Sequence, residues 1–312
     1  MLAARLFNRI SREKIESALT ALGVRRGDSI LALVSLKSLG YVQGGARAVV
    51  EAIASAVGPE GGVMMPSFPA LDPLPALPAA ASLDEVETPS AAGMVSEAFR
   101  LRPGTLRSLH PVGAITATGP RAAEWLEGHE RHSTPFARGS PIDRFVSSGG
   151  RILIVGAHAG PILPYLQERA SFPHLYLPQI KEVAVRSRDG RYMRVATRLF
   201  RSASCRVVIL QGERPETRDY VLMRDYALVF PAARQKSVAK GGYLKHNRGR
   251  LLGRIERLRQ RGILTSGSIG LAEAVLVEAA PFCDQVGADL EWEVARFKDE
   301  YDPEKLETLD LR

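Results

Sequence analysis

Cysteine is nearly absent: Cys205 and Cys283 are the only two in 312 residues. A disulfide-stapled scaffold is therefore excluded, and the chain is long enough to build a real hydrophobic core instead. Both thiols lie in apolar contexts, SCRVVIL and PFCDQV, which reads as buried and inert. Aromatics are scarce at 6%, which counts against nucleic-acid recognition by base stacking. No apolar run reaches the ~20 residues of a membrane-crossing helix. The opening stretch MLAARLFNRISREK lacks an apolar core of signal-peptide length, so a cytoplasmic protein is expected. There is no internal repeat, no phosphate-binding P-loop, no G-x-S-x-G nucleophile elbow and no complete Rossmann fingerprint, which the glycines of VGAHAG do not supply.

What is present begins with 45% hydrophobic and 24% charged residues, the composition of a globular domain rather than a disordered chain. Formal charge is +8, but it is unevenly placed. Residues 181–261 hold 21 Lys+Arg against 7 Asp+Glu, a local +14, while the rest holds 21 against 27, a local −6. A basic helix over 243–261 carries Lys245, Arg248, Arg250, Arg254, Arg257, Arg259 and Arg261 opposite Leu251, Leu252, Ile255 and Leu258. It reads as a solvated amphipathic face or as a surface for phosphates, anionic lipid or an acidic polymer. Nucleic acid is not favoured, because no recognised binding motif accompanies the charge.

The punctuation along the chain is that of an α/β fold. Ser11 caps a helix through Leu22, with Gly23 as its C-terminal stop. GDSILALVSL reads as a buried strand, 45–57 as a helix, and GGVMMPSF as a second strand, a βαβ unit with parallel pairing. Residues 69–90, rich in proline, alanine and acid, read as a long surface loop. Helix is expected over 92–100, strand over 112–118, and helix from Gly119-Pro120 through Trp125. RILIVGAHAG is the clearest strand. EVAVRSRDGRYMRVATRLF reads as a hairpin with Asp189-Gly190 as its two-residue turn. CRVVIL suggests a strand, and 269–280 and 289–301 suggest helices. One compact domain over 1–312 is expected, a mixed sheet with flanking helices, the long loop 69–90 and a basic helical region at 236–262.

No metal site emerges. His129 and His132 are three apart with no third ligand nearby, whereas a zincin pair needs histidines four apart on one helix face.

Several segments, taken in order, resemble the aminoglycoside 3-N-acetyltransferase family. They are GDSILALVSLKSLGYVQGG, VGPEGGVMMPSF, TPSAAGMVSEAFRLRPGTLRSLHPVGAITATGPRA, then His129, the TPF at 134–136, the GSP at 139–141, and RILIVGAHAG. The resemblance spans about residues 11–180 and implies that family's fold. It also implies transfer of an acetyl group from acetyl-CoA to an amine of a sugar-like acceptor, without a metal. It places Ser35, Leu36, Lys37 and Ser38 along the coenzyme A, with Arg107 and Ser108 as further holders of phosphate or sugar oxygens.

The family's base is a His–Glu pair three apart on one helix, within Leu-His-x-Ala-Glu. Here the matching residues are Leu163, Pro164, Tyr165, Leu166 and Gln167, so Pro164 and Gln167 occupy the base positions and neither accepts a proton. A slip of one residue brings in Glu168. His110, His158 and Glu168 are the candidate replacements. A polycationic acceptor would meet repulsion from the basic segment, so an anionic amine acceptor and a biosynthetic role are expected rather than drug resistance. The alternative from another class is a degenerate acyltransferase scaffold that binds a partner without turnover. A homo-oligomer is compatible with either.

Overall fold

A computed structural model describes residues 9–69, 82–157, 160–171, 175–200 and 256–297. The strands are β1 (Arg9–Ile10), β2 (Ser29–Val34), β3 (Tyr41–Val42), β4 (Gly62–Pro66), β5 (Ser82–Asp84), β6 (Leu106–Arg107), β7 (Ile115–Thr118), β8 (Arg151–Val155), β9 (Tyr176–Arg186), β10 (Tyr192–Phe200), β11 (Leu264–Ile269) and β12 (Ala272–Glu278). The helices are α1 (Arg12–Leu22), α2 (Leu36–Leu39), α3 (Gly45–Val57), α4 (Met94–Arg100), α5 (Ala122–Leu126), α6 (Pro141–Ser147), α7 (Ile162–Arg169) and α8 (Ala279–Phe297), with a 3₁₀ turn at His129–Arg131.

Seven strands form the central sheet in the order β11-β12-β8-β2-β4-β7-β6. The inner trio β8-β2-β4 is parallel, and the flanking pairs are antiparallel. Side chains alternate across a pleated strand, and β2 shows the division. Leu31 and Leu33 pack with Trp125, Phe145, Tyr165 and Phe282 on one face, under α5, α6, α7 and α8. Ile30 and Ala32 pack with Ile15, Leu19, Val49, Ile53 and Phe99 on the other, under α1, α3 and α4. The strand expected from GDSILALVSL and the helix expected at 45–57 are both in place, and their βαβ unit has β2 and β4 in parallel register. Ser11 accepts from the Lys14 N–H at the start of α1, and Gly23 closes it at φ 107°, a conformation that glycine adopts without penalty.

Four expectations need correction. Residues 269–280 are not a helix: β11 and β12 make a hairpin, with Ile269 opposite Ala272. Leu, Ala and Glu favour helix, but β12 also pairs with β8. A strand buried on both faces reads as a continuous apolar run rather than an alternation. The last helix accordingly begins at Ala279, not 289. The hairpin β9–β10 turns over three residues, Arg188 to Gly190. The Ser187 N–H donates to Arg191 O, and Gly190 sits at φ 83°, the geometry of a three-residue loop with a left-handed last position.

The excursion 69–90 is not loop throughout, since β5 pairs in parallel with β9 to form a small sheet β10-β9-β5. Residues 70–81, the CRVVIL segment and the basic stretch up to 255 lie outside the described residues; the short piece from 256 that is described is helical. No helix among the described residues is long and apolar enough to cross a membrane.

Candidate functional site

The helices after β2 and β8 leave the sheet in opposite directions. Past β2 the chain runs through α2 and β3 into α3, which packs with Ile30 and Ala32, whereas past β8 it enters α7, which packs with Leu31 and Leu33. The carboxyl ends of these two neighbouring parallel strands are thus a topological switch point, the place where open α/β sheets bind their ligands.

One side of the switch point is Ser35–Ser38. The Ser35 N–H donates to Val155 O at 3.0 Å, so the loop is tied to the end of β8. The Ser38 hydroxyl lies 2.9 Å from both Ser35 Oγ and Gly156 O. Since the carbonyl only accepts, Ser38 donates to it and receives from Ser35. Gly156 has φ +54°, and a Cβ there would run into the Ser38 side chain. Its lack of a side chain is what lets the two loops close. Leu36 is half-buried, and Lys37 is exposed with no ion pair among the described residues. No side chain caps the N-terminus of α3, which opens on the same end of the sheet behind Gly44.

The other side is built by the loop before β7 and by the turn at 129–136. Ser67 N–H donates to Ala114 O, which sets this loop at the carboxyl end of β4. His110 is fully buried and stacks on His129 with ring centroids 4.7 Å apart. Its Nδ1 accepts from the Val112 N–H at 3.3 Å, and burial pushes its pKa down to about 3. An imidazole so held is neutral and enclosed at physiological pH. His110 therefore braces the loop through Nδ1, while its buried Nε2 has no partner among the described residues.

His129 is locked in one tautomer. Its Nε2 faces the Pro135 carbonyl at 2.9 Å and must donate. Its Nδ1 must then accept from the Ser108 hydroxyl at 2.8 Å, while Ser108 Oγ accepts from the Ile115 N–H. Burial holds this imidazole far below its usual pKa. Ser108 is thus a link in a closed buried network. Arg107 is similarly engaged: its guanidinium reaches the carbonyls of Ser67, Thr88 and Glu85 at 2.6, 2.5 and 3.3 Å. Burial, then the charge of Arg100, lowers its pKa to about 10, so it stays charged while clasping backbone.

Across the turn, α7 presents Pro164, Gln167 and Glu168 on one face, since i, i+3 and i+4 align on a helix. Gln167 is buried, with its Oε1 unpartnered among the described residues. Glu168 accepts hydrogen bonds from the hydroxyls of Thr134 and Tyr176. Desolvation raises its pKa, against the pull of those two hydroxyls, His132 and the Phe136 backbone. His158 lies outside the described residues. His132 is half-buried between His129, 6.4 Å away ring to ring, and Gly139. Only its spacing from Thr134 and the TPF segment hinted at a place beside α7. Among the described residues no group of three His, Cys, Asp or Glu is arranged to hold a metal. Ser140 caps α6 by accepting from the Asp143 N–H, an N-cap role.

A cavity of about 480 Å³ lies at the far end of the sheet, lined by Arg12, Arg26, Glu51 and Arg102 beside the last turn of α3. Carbonyl groups and the negative end of the helix dipole face it, and none of the residues above contributes.

The family described as aminoglycoside 3-N-acetyltransferase matches residues 31–291. An aminoglycoside N(3)-acetyltransferase III of Acinetobacter baumannii is 35% identical over 179 residues, 53% of this chain and 62% of the relative. The match thus spans under two thirds of that relative's length. Among solved structures, aminoglycoside acetyltransferase AAC(3)-Xa superposes with a TM-score of 0.66 at 23% identity, covering 93% of this chain and 95% of that one. The binary complex of AAC-IIIb with CoASH gives 0.63 at 20%, covering 92% and 97%. At these identities the likeness establishes the fold alone, a mixed sheet with flanking helices.

Proposed function

The chain belongs to the aminoglycoside 3-N-acetyltransferase family, and on that premise we propose that it moves an acetyl group from acetyl-CoA to an amine on a small, sugar-like acceptor. The observation that carries this reading is the switch point at the ends of β2 and β8, where the Ser35–Ser38 loop is tied to Gly156. Its residues fit a phosphorylated, extended ligand: Lys37 offers an unpaired cation. The uncapped N-terminus of α3 offers backbone N–H groups to phosphate oxygens. Acetyl-CoA supplies a thioester whose acyl carbon is open to attack by an amine. Ser35, Leu36 and Ser38 line the switch point, while Arg107 and Ser108 act indirectly by fixing the opposite side.

For the acceptor we propose a small amine that also carries an anionic group, and a biosynthetic role. The residues that face the turn at 129–136 from β10 include Arg198, whose N–H bonds Ser133 O at 2.7 Å and whose buried Nε has no partner among the described residues. A positive group there favours an acidic sugar over a polycation. The second reading, a binding protein that has kept the scaffold without turnover, is favoured by Pro164 and Gln167 at the positions where the family resemblance places its base.

The test is thiol release from acetyl-CoA across a panel of aminoglycosides, neutral amino sugars and acidic or phosphorylated amino sugars, with calorimetric titration of coenzyme A alongside. Binding that weakens about tenfold in Lys37→Glu, with turnover strongest on acidic acceptors, is the expected result. No binding of coenzyme A refutes the reading. Turnover confined to aminoglycosides refutes the anionic acceptor, and binding without turnover on any acceptor supports the scaffold.

A further inference from the structure

We infer that the cavity at the far end of the sheet is a second ligand site, and that it takes a small phosphate ester with a hydroxylated, sugar-like remainder.

The cavity stands one helix length away from the acetyl-transfer site. α3 has 13 residues, which makes it about 20 Å long. Its first turn lies at the end of the sheet that carries Ser35–Ser38, and its last turn borders the cavity. A volume of about 480 Å³ falls within the usual range of small-molecule sites, about 300–1,000 Å³. One side is the face of α3 that carries Glu51, Ser55 and Gly58, which their i, i+4 and i+7 spacing aligns. Arg12 from the start of α1, Arg26 from the turn after it, Arg102 from beyond α4 and Thr118 from β7 face that side.

Three guanidinium groups thus meet a single lining carboxylate, a net +2. The carboxylates nearby are already engaged. Arg102 Nε lies 3.2 Å from Glu51 Oε1, and Arg12 Nε lies 2.7 Å from Glu16 Oε1. Counting Glu16 as well still leaves +1. Arg26 is exposed and has neither an ion pair nor a hydrogen bond among the described residues. Its guanidinium lies over Gly58, where a Cβ would stand 3.0 Å from the guanidinium carbon. Capping α3 does not occupy it. Ala54 O accepts from the Gly58 N–H at 3.0 Å, and Val57 O accepts from the Gly27 N–H at 2.8 Å. The helix end contributes a charge of about −0.5, smaller than the positive excess of the lining.

An anion therefore gains by entering. A phosphate monoester carries about −1.5 to −2 at pH 7, which matches the excess, and the planar fork of Arg26 can hold two of its oxygens. From Gly58 back to Glu51 the helix spans about 10 Å. That leaves room for a sugar-sized remainder whose hydroxyls meet Ser55, Thr118 and Glu51.

The experiment titrates the full chain with glucose 6-phosphate by calorimetry, with and without saturating coenzyme A, beside inorganic phosphate and glucose. One site for glucose 6-phosphate is expected, unaffected by coenzyme A, with inorganic phosphate weaker and glucose silent. Arg26→Glu should weaken binding by about tenfold or more, the worth of one charge-assisted hydrogen bond. Ser55→Trp, which fills the cavity, should abolish it. Both variants should keep the wild-type affinity for coenzyme A. Arg26 is exposed, so Arg26→Glu decides the matter even where Ser55→Trp does not fold. No binding by the wild type refutes the inference. So does binding that coenzyme A displaces, binding of inorganic phosphate as tight as that of the sugar phosphate, or binding unchanged in Arg26→Glu. The two readings fail separately: absence of coenzyme A binding refutes acetyl transfer, and wild type against Arg26→Glu decides the second site either way.

Discussion

Lowering the pH from 7 to 5 should weaken the fold through its two enclosed histidines. Each imidazole binds a proton more readily in the unfolded chain, at about 6.5, than in the fold, where burial places His110 at about 3 and holds His129 well below its usual value. The stability they contribute is therefore complete above pH ~6.5 and drains as the pH falls toward the folded-state values. At pH 5 the unfolded state gains RT ln(1 + 10^1.5), about 2 kcal/mol for His110, and His129 adds a loss of the same sign. Glu168 acts with the opposite sign, because its raised pKa means that it disfavours the fold less as it becomes protonated. The two effects separate in variants. Urea unfolding at pH 7 and pH 5, compared between wild type and His110→Gln or His129→Gln, should show a smaller pH-dependent loss in each variant, by about 2 kcal/mol in His110→Gln, at unchanged m. An equal loss in variant and wild type would refute the reasoning. So would a folded-state NMR titration of His129 between pH 6 and 7.

Gly156→Ala places a methyl group against Ser38 at φ +54°; a loss of about 1–3 kcal/mol is expected in thermal or urea unfolding, together with weaker coenzyme A binding by calorimetry. Arg107→Met leaves the carbonyls of Ser67, Thr88 and Glu85 without their guanidinium. It should destabilise by about 2–4 kcal/mol, and Arg107→Lys, which lacks the planar fork, should recover only part of that.

The parts of the fold that were legible in the chain are those where one local rule decides. Ser11 and Gly23 bracket α1, Gly58 stops α3, and Ser140 with Pro141 opens α6, each through capping chemistry that acts within a few residues. The central strands β2 and β8 were visible as short apolar runs. What misled was β12, whose alanines, leucines and glutamates favour helix. Its strand state is imposed by its hairpin partner β11 and by β8, more than a hundred residues earlier in sequence, and propensity yields to them. The site divided the same way. Ser35–Ser38 and Glu168 sit in or beside recognisable segments. The burial of His110 is not written in its neighbours: the ring is sealed by His129, nineteen positions on.

Pro164 and Gln167 share one face of α7, and their side chains bear on one another. Pro164 is the third residue of α7, after Pro161 as N-cap. The first turn has no carbonyl to meet its N–H in any case, so proline loses no helical bond there. It does remove any imidazole from that face. A carboxylate at 167, in a side chain only 1% exposed, would then be a buried charge with no cation beside it, and a neutral amide avoids that desolvation. The two positions should therefore be coupled. Gln167→Glu alone should destabilise by about 3 kcal/mol, as an unpaired buried charge does. Adding Pro164→His should return about 1–3 kcal/mol of that loss, read as the interaction energy of a double-mutant cycle in urea. If the double variant is only as stable as the two single effects summed, positions 164 and 167 do not share a face in the way α7 places them.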